Sequence, residues 1–390
     1  MQQPANANFV ANTYSRFPLT FEKGQGARLW DKEGREYIDF TSGIAVCNLG
    51  HCHPQVVQAI KKQAETLIHT SNLYWIEEQL RLAKRLAEHS FADQAFFCNS
   101  GAESVEAAIK LARKRGHELR GPNCYDIVCL EGAFHGRTLA AITATGQPQY
   151  QRGFEPLVPG FTHIPPNDIY AAELAIGRRT AAVIVEPIQG EGGVRPLSDD
   201  FLSALRTFCD KQNAILIFDE VQVGMGRTGS LFAYEQTPVV PDVICLAKAL
   251  GNGVPIGAML AKQEVMKHFG PGSHASTFGG NPLSCAAANA VLDVMLASDF
   301  FEHVKAMADY LRAGLEKFSA NRPGKVAEIR GRGLIQAVEF VEPLPDLALK
   351  FMEKGFLVLL GHEKILRLLP PLIISQEEIK AFLEALEELA

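Results

Sequence analysis

An acidic pair and a lysine each follow an apolar run in the middle of the chain. Asp219 and Glu220 come directly after residues 215–218, and Lys248 lies between residues 243–246 and a glycine-rich stretch. A buried carboxylate needs a cation or a strong donor, and a lysine in apolar surroundings becomes nucleophilic because its pKa falls. Ligands bind at the carboxyl ends of strands in open α/β sheets. For the acidic pair alone, a functional site and a structural role such as a helix cap or a salt bridge are equally supported. A single lysine at this position would favour a side chain that extends to solvent over a catalytic residue.

A third segment has the pattern of an anion-binding helix terminus. The apolar run 95–98 is followed by Asn-Ser-Gly-Ala-Glu, in which Ser100 and Glu103 have the spacing of a capping box. The small residues Gly101 and Ala102 would leave backbone N–H groups open to a phosphate. An ordinary helix cap would have the same pattern, so this segment alone does not decide the function.

Two competing motifs lack the context that they need. Residues 224–229 match G-x-G-x-x-G, but two prolines and no helical period follow them, which disfavours an NAD-dependent dehydrogenase. Residues 51–53 are His-Cys-His, and adjacent residues rarely bind one metal ion together. We therefore predict no metal site.

The order of apolar runs and helical patterns predicts an α/β fold. Near-continuous hydrophobic runs are typical of a parallel sheet buried on both faces. Such runs occur at 95–98, 127–130, 182–186, 215–218 and 243–246, and helical stretches lie between most of them. From about residue 282 the pattern changes to amphipathic helices and to strands near 335–341 and 356–360. The last helix begins with a capping box at Ser375 and Glu378. This region predicts a second, smaller α+β domain.

The composition excludes several classes of protein. With 38 basic and 44 acidic residues among 390, the net charge of −6 excludes a polycation that binds nucleic acid through its phosphates. The apolar fraction of 47% excludes intrinsic disorder. No apolar run reaches the roughly 18 residues of a membrane span, and we expect neither a membrane segment nor a secretory signal. The eight cysteines form no C-x-x-C pair, which favours reduced thiols in the cytoplasm.

Together these segments resemble one family, the class III pyridoxal-phosphate aminotransferases. The signature runs without a gap from Asp219-Glu220 through Gly224, Arg227-Thr-Gly229 and Asp242 to Lys248. Further matches extend across nearly the whole chain and are Gly43-Ile-Ala-Val, Gly50-His-Cys-His-Pro54, Asn99-Ser-Gly-Ala-Glu103, Phe134-His-Gly-Arg137, the segment 185–193 and Ser276-Thr-x-Gly-Gly-Asn-Pro282.

The resemblance implies the aspartate-aminotransferase-like fold (type I) of pyridoxal-phosphate-dependent transferases. This is an α/β fold with a large, mainly parallel-sheet domain and a small α+β domain. By the same resemblance, residues 1–45 would form an N-terminal arm that packs with the small domain. Residues 46–290 would form the large cofactor domain, and residues 291–390 the small C-terminal domain.

The resemblance also implies roles at the cofactor, pyridoxal 5'-phosphate. Lys248 would form the Schiff base with it and then act as general base, while Asp219 would keep the pyridine nitrogen protonated. Gln222 would hydrogen-bond the phenolic oxygen, Phe134 would stack on the ring and His135 would support it. The other implied cofactor contacts are Ser100, Gly101 and Ala102 at the phosphate, Glu220 and Val221 beside Asp219, and Thr277 at the phosphate of the neighbouring subunit in a homodimer with shared sites.

Two arginines would bind the substrates. Arg137 would clamp the α-carboxylate of an acetylated amino acid, because its planar fork suits a carboxylate. Arg367 would pair with Glu191 while the first substrate is bound, and would then be released to bind the α-carboxylate of glutamate or 2-oxoglutarate. Ser276 is a further candidate for contacting the substrate. For Tyr14 we favour packing of the N-terminal arm over a substrate contact, because chain termini order poorly.

Within the family, the chain most resembles members that act on N2-acetylornithine. The resemblance implies ping-pong transfer of its δ-amine to 2-oxoglutarate, giving N-acetylglutamate 5-semialdehyde and glutamate, a step of arginine biosynthesis. Succinylornithine, ornithine, 4-aminobutyrate and succinyldiaminopimelate stay open as amino donors, since the choice depends on the shape of the pocket. A non-catalytic use of the fold also stays open in principle, but the presence of Lys248, Asp219 and both arginines argues against it.

Overall fold

The computed structural model describes residues 7–390. The α-helices are α1 (Ser42–Ala45), α2 (Pro54–Thr66), α3 (Glu77–Glu88), α4 (Gly101–Arg120), α5 (Leu139–Ala144), α6 (Pro148–Gln151), α7 (Ile169–Ala175), α8 (Asp199–Gln212), α9 (Gln263–Met266), α10 (Pro282–Met295), α11 (Phe300–Asn321), α12 (Leu347–Glu353) and α13 (Gln376–Leu389). Short 3₁₀ helices lie at Ala7–Phe9, Ala233–Gln236 and Lys248–Leu250. The strands are β1 (Phe21–Gln25), β2 (Arg28–Asp31), β3 (Glu36–Asp39), β4 (Gln94–Cys98), β5 (Asp126–Leu130), β6 (Phe161–Ile164), β7 (Thr180–Val185), β8 (Ile188–Gln189), β9 (Arg195–Pro196), β10 (Ile215–Asp219), β11 (Val243–Leu246), β12 (Gly257–Ala261), β13 (Val326–Arg332), β14 (Ile335–Phe340), β15 (Phe356–Leu357), β16 (Leu359–Gly361) and β17 (Ile365–Leu368).

The central sheet has seven strands in the order β4-β12-β11-β10-β7-β5-β6. All run in the same direction except β12, which is antiparallel to both of its neighbours, β11 and β4. Every residue of β7, β10 and β11 is buried. Their Val, Ile, Leu, Ala and Cys side chains are covered on both faces, as expected for the middle of a parallel sheet.

The strands predicted from apolar runs are present, and their ends differ from the prediction by at most two residues. Several features were not predicted, among them the edge strand β6 of the central sheet and the strands β13 and β17 of the C-terminal region. The sequence analysis did not identify β12, whose reversed direction a parallel-sheet pattern does not reveal. The segment 356–360, predicted as one strand, is divided at Val358 because β15 pairs with β3 whereas β16 pairs with β17 in another sheet.

Two four-stranded sheets and the short pair β8-β9 lie outside the central sheet. β13, β14, β17 and β16 form an antiparallel sheet from the C-terminal region. β1, β2 and β3 form a sheet that is completed by β15, with Ile38 opposite Phe356. This pairing supports an N-terminal arm that packs with the small domain, although the limits at residues 46 and 291 stay a prediction.

Of the two capping boxes predicted from sequence, the one at α13 is complete and the one at α4 is half formed. Ser375 and Glu378 make the reciprocal capping box at the start of α13. At α4, Ser100 Oγ accepts a hydrogen bond from the N–H of Glu103, but the carboxylate of Glu103 accepts from the N–H of Asn99 rather than from that of Ser100. The Glu103 side chain therefore bonds the backbone one residue earlier in the chain than the capping-box pattern predicts, and this bond holds the segment after β4 in place.

A fully buried guanidinium joins the N-terminal segment, the turn after β10 and the C-terminal sheet. Arg227 donates to the carbonyl oxygens of Leu334 at 2.9 Å and Pro370 at 2.5 Å. It also donates to the Ser42 hydroxyl at 3.2 Å and to the side-chain oxygen of Asn48. Burial lowers the pKa of Arg227 to about 9, against an opposing effect of Asp39. Through these contacts Arg227 fixes the N-terminal segment, the turn after β10 and the C-terminal sheet relative to one another.

Within residues 7–390, no single helix is both long and apolar enough to cross a membrane. The neighbouring helices α10 and α11 meet that criterion only when joined, and they are bent by 73° where they meet.

Candidate active site

A cavity of about 430 Å³ opens at the carboxyl ends of the parallel strands. Segments that directly follow β4, β5, β7, β10 and β11 line it, as expected for a doubly wound sheet. The antiparallel β12 contributes the residues that precede it instead, because its direction is reversed. The lining side chains that carry chemistry are Asn99, Ser100, Phe134, His135, Arg137, Glu186, Glu191, Asp219, Gln222 and Lys248.

Lys248 lies at the floor of this cavity, in the turn after β11. Its backbone has φ 44°, in the left-handed region that residues with a Cβ rarely adopt, and such strain is common at functional sites. Burial lowers the pKa of Lys248, against the opposing effects of the carboxylates Glu191, Asp219 and Glu186. A lowered pKa increases the share of neutral amine, which is the nucleophilic form.

Asp219 ends β10 and forms a buried pair with His135. Its Oδ2 lies 2.8 Å from Nδ1 of His135, and its Oδ1 accepts a hydrogen bond from the N–H of Val221 at 3.0 Å. The other ring nitrogen of His135, Nε2, is buried and has no hydrogen-bond partner among the described residues. Asp219 is therefore held in one orientation at the cavity wall.

The sequence analysis did not place Glu186, the residue after β7, in the site. Its carboxylate lines the cavity and accepts hydrogen bonds from the N–H groups of Phe134 at 2.9 Å and Gly190 at 3.1 Å. Burial raises the pKa of Glu186 to about 7, with His135 opposing and Asp219 adding to the rise. The acid thus fixes the backbone of Phe134. The buried Val-Glu-Pro at the end of a strand is the sequence signal that could have identified it.

The amino end of α4 forms another wall of the cavity. Ser100, Gly101 and Ala102 line it, and the first N–H groups of a helix have no helical acceptor. A Cβ on Gly101 would lie 2.6 Å from a methyl of Val221, so only glycine allows α4 to approach the turn after β10 this closely. The open N–H groups and the Ser100 hydroxyl suit a phosphate.

Glu191, Arg367 and Gln222 form a connected polar group beside the cavity. Arg367 donates from its two terminal nitrogens to the two carboxylate oxygens of Glu191, at 2.9 and 3.0 Å. Gln222 donates to Glu191 at 3.3 Å and accepts from Arg367 at 3.2 Å. Burial alone would raise the pKa of Glu191, but the Arg367 guanidinium brings it below its usual value. Arg367 itself is almost completely buried.

Arg137 lies at the exposed mouth of the same cavity with aromatic rings around it. Its guanidinium carbon is 4.0 Å from the ring centre of Tyr150 and 5.5 Å from that of Phe134. The two rings contact each other edge to face. This stacking leaves the N–H edge of the guanidinium free for a planar anion.

The remaining candidates lie outside the cavity wall, except Val221, which lines it. Glu220 points to the other face of the sheet, since successive strand residues alternate, and accepts hydrogen bonds from the N–H groups of Ala233 and Tyr234. Burial raises its pKa to about 8. Ser276 and Thr277 line a neighbouring surface cleft. Tyr14 is 71% exposed and contacts Arg16.

The chain matches the family model for aminotransferase class-III over residues 9–389. It belongs to the class III aminotransferases. The acetylornithine aminotransferase of Caldanaerobacter subterraneus is 49% identical over 97% of this chain and 96% of the relative. That of Methanocaldococcus jannaschii is also 49% identical, over 96% of this chain and 94% of the relative.

Solved structures of this family have the same fold. The ornithine aminotransferase of Toxoplasma gondii superposes with a TM-score of 0.94 at 35% identity, over 98% of this chain and 92% of that one. The N-acetylornithine aminotransferase of Stenotrophomonas maltophilia gives 0.84 at 39% identity, over 96% of each chain. The family match and these structures confirm the predicted type I fold of this chain. They also confirm the prediction of a pyridoxal-phosphate-dependent enzyme.

The residues of the cavity fit this cofactor. The half-buried amine of Lys248, the buried carboxylate of Asp219 and the open N–H groups at the start of α4 line one volume of about 430 Å³. The amine suits an aldehyde as its nucleophile, the carboxylate suits a protonated ring nitrogen as its acceptor, and the N–H groups suit a phosphate as its donors. The Nε2 of His135 is a further buried polar atom without a partner among the described residues, and most buried polar atoms in native proteins bond to protein or to ordered water.

Proposed function

We propose that this aminotransferase moves the δ-amine of N2-acetylornithine to 2-oxoglutarate, with N-acetylglutamate 5-semialdehyde and glutamate as products. The observation that carries the proposal is the difference between the two arginines. Arg137 presents its N–H edge at the mouth of the cavity, whereas Arg367 is closed by Glu191. The names of the relatives that are about half identical over nearly the whole chain agree with it.

The two arginines would sort the two substrates. With Glu191 on Arg367, Arg137 binds the α-carboxylate of the acetylated donor, whose chain then directs its far amine toward Lys248. When 2-oxoglutarate enters, one of its carboxylates displaces Glu191 and takes Arg367, so the α-carbon comes to the reacting position. The same cavity thus handles a terminal amine in one half-reaction and an α-amine in the other.

The chain's own groups would manage the protons. When bound, pyridoxal phosphate supplies an aldehyde that accepts the amine and a ring that accepts electrons. Lys248 holds the cofactor and, once released, moves the proton at the carbon that carries the amine, which its lowered pKa favours. Asp219, fixed by His135 and the N–H of Val221, keeps a proton on the ring nitrogen.

We also propose a homodimer with shared sites, in which Thr277 reaches the phosphate in the other subunit. Thr277 is exposed and precedes Phe278, which is 61% exposed. Leu73 and Trp75 are each 87% exposed, and Asn72 hydrogen-bonds the carbonyl oxygens of Ser276 and Gly279. This brings large apolar side chains and the Thr277 loop to one face, and such faces mark protein interfaces. The cytoplasmic location stays a prediction.

Ornithine is the second candidate donor. The structural similarity to an ornithine aminotransferase, at a TM-score of 0.94, favours it. Ornithine differs from N2-acetylornithine by a free, charged α-amine in place of an amide. Succinylornithine, 4-aminobutyrate and succinyldiaminopimelate are further donors to be tested.

A half-reaction monitored by absorbance tests the proposal. The loaded enzyme is mixed with one donor and no keto acid, and loss of the lysine-bound cofactor band reports amine transfer. We expect the fastest conversion with N2-acetylornithine, slower conversion with ornithine, and reversal on addition of 2-oxoglutarate. Conversion with another donor only would overturn the proposed substrate and retain the reaction type.

A further inference from the structure

The loop that carries Phe134, His135 and Arg137 has no regular structure and runs directly into α5. That helix has only six residues, and its N-cap residue Thr138 makes no capping hydrogen bond with its own side chain. The cap comes from another helix. Oε1 of Glu106, on α4, accepts from the Thr138 hydroxyl at 2.5 Å, from the N–H of Ala140 at 3.0 Å and from that of Ala141 at 3.2 Å.

This arrangement satisfies N–H groups that a helix cannot satisfy by itself. A carboxylate at a helix N-terminus also interacts favourably with the partial positive charge there. Helices of this length are not stable alone, so the start of α5 depends on the contact. Because Arg137 comes one residue before the N-cap, the position of its backbone depends on the same contact.

The same helix holds the loop at a second point. A Cβ on Gly136 would lie 2.8 Å from Cβ of Ala102 and 3.1 Å from Cβ of Ala141, so the loop backbone lies directly against the first turn of α4. α4 is 20 residues long and packs a buried face on the central sheet. It therefore provides a rigid reference for the loop, at Ala102 and one turn later at Glu106.

We propose that Glu106 is a positioning residue for Arg137, and thereby determines affinity for the carboxylate of the amino donor. The inference rests on the proposed function, in which Arg137 binds that carboxylate. Glu106 contacts α5 and the Thr138 hydroxyl rather than the substrate. Its role is to hold the backbone from which Arg137 reaches over the ring of Tyr150.

The test measures ligand affinity without turnover. The probe is N2-acetylnorvaline, which has the acetyl group and α-carboxylate of the donor but no amine to transfer. Its dissociation constant for the cofactor-loaded enzyme is measured by calorimetry. We expect Glu106→Ala to weaken binding roughly ten-fold, equivalent to about 1.4 kcal/mol and typical for loss of a helix cap. Glu106→Gln should restore most of the affinity, because all three bonds go to one oxygen and the amide oxygen of glutamine can accept them.

A control variant, a second test variant and a control measurement make the outcome specific. Glu118→Ala removes a carboxylate from the far end of the same helix and should leave the dissociation constant unchanged. Thr138→Val removes one of the three bonds and should weaken binding two- to three-fold, which provides a test if Glu106→Ala does not fold. Cofactor affinity should stay within about two-fold in each of these variants, because Phe134, His135 and Gly136 keep their own contacts with Glu186, Asp219 and Ala102.

Arg137→Leu separates the inference from the proposed function. If this variant leaves the affinity for N2-acetylnorvaline unchanged, Arg137 does not bind the carboxylate and the proposed function fails at that residue. If Arg137→Leu weakens binding but Glu106→Ala and Thr138→Val do not, only the positioning role is overturned. An equal loss in Glu106→Gln and Glu106→Ala would contradict the capping argument.

Discussion

The pairing of Glu191 with Arg367 should decide which donor the enzyme prefers. In the free site, two charge-assisted hydrogen bonds of 2.9 and 3.0 Å close Arg367, so a substrate carboxylate must displace Glu191 to bind there. Glu191→Ala removes the competitor. A hydrogen bond to a charged group contributes about 1.5–3 kcal/mol, and the displacement cost of one such bond corresponds to roughly 10- to 150-fold in affinity.

We therefore expect kcat/KM for glutamate as donor to rise at least ten-fold in Glu191→Ala, while that for N2-acetylornithine does not rise. The measurement is a stopped-flow half-reaction with each donor. Glu339→Ala is the matched control, since Glu339 pairs with Arg330 away from the cavity and its loss should leave the ratio of the two donors unchanged. Removing one partner of a buried pair also destabilises the fold, so thermal unfolding is compared first. A donor ratio within two-fold of the wild type in Glu191→Ala would refute the competition.

Three further predictions concern the surrounding structure. Burial opposes the charged form of His51, but the bond to Asp39 raises its pKa to about 9. The protonated His51 therefore stabilises the fold fully below about pH 6.5, and this stabilisation is lost as the pH rises through 9. The difference in unfolding free energy between wild type and His51→Gln should shrink over that range, and a constant difference in denaturant titrations would contradict the prediction. Arg227→Met leaves buried oxygen acceptors unpaired and should lower the free energy of unfolding by about 3 kcal/mol or more, as measured by urea denaturation; an unchanged value would show that the guanidinium does not join the segments. Gly136→Ala places a Cβ 2.8 Å from Ala102 at φ 135° and should weaken cofactor binding in a fluorescence titration, whereas equal affinity would show that the loop can move aside.

The sequence predicted five of the seven strands of the central sheet, β4, β5, β7, β10 and β11, because most of the residues in their apolar runs are buried. It missed β6 at one edge of the sheet and the reversed strand β12. It also predicted the end of β10 as a reactive position, and the structure brings Asp219 to the same cavity as Lys248. The residue pattern alone did not distinguish Asp219 from Glu220. The family resemblance assigned the ring nitrogen to Asp219 but also counted Glu220 among the cofactor contacts, whereas Glu220 points to the opposite face and caps the 3₁₀ helix at Ala233–Gln236. Which of two adjacent residues faces the site depends on how the strand is placed in the sheet, and that is a tertiary property.

Other parts of the site have no local pattern in the sequence. Glu106 caps a helix more than thirty residues further along the chain, and it reads as an ordinary charged residue of an amphipathic helix. Tyr150 lies under Arg137 because the short helix α6 follows α5 and folds back over the loop. The direction of β12 could not be predicted either, because parallel and antiparallel buried strands have similar apolar runs.

The most direct test of the account is to identify the residue that holds the cofactor. The loaded enzyme is reduced with borohydride, digested and analysed by mass spectrometry. We predict that the peptide containing Lys248 carries the mass of the cofactor. A Lys248→Ala variant should keep the fold but lose both the attached cofactor and turnover. The control Lys267→Ala, which changes an exposed lysine, should keep the cofactor attached. Attachment to another lysine in the wild type, or turnover that survives in Lys248→Ala, would contradict the account.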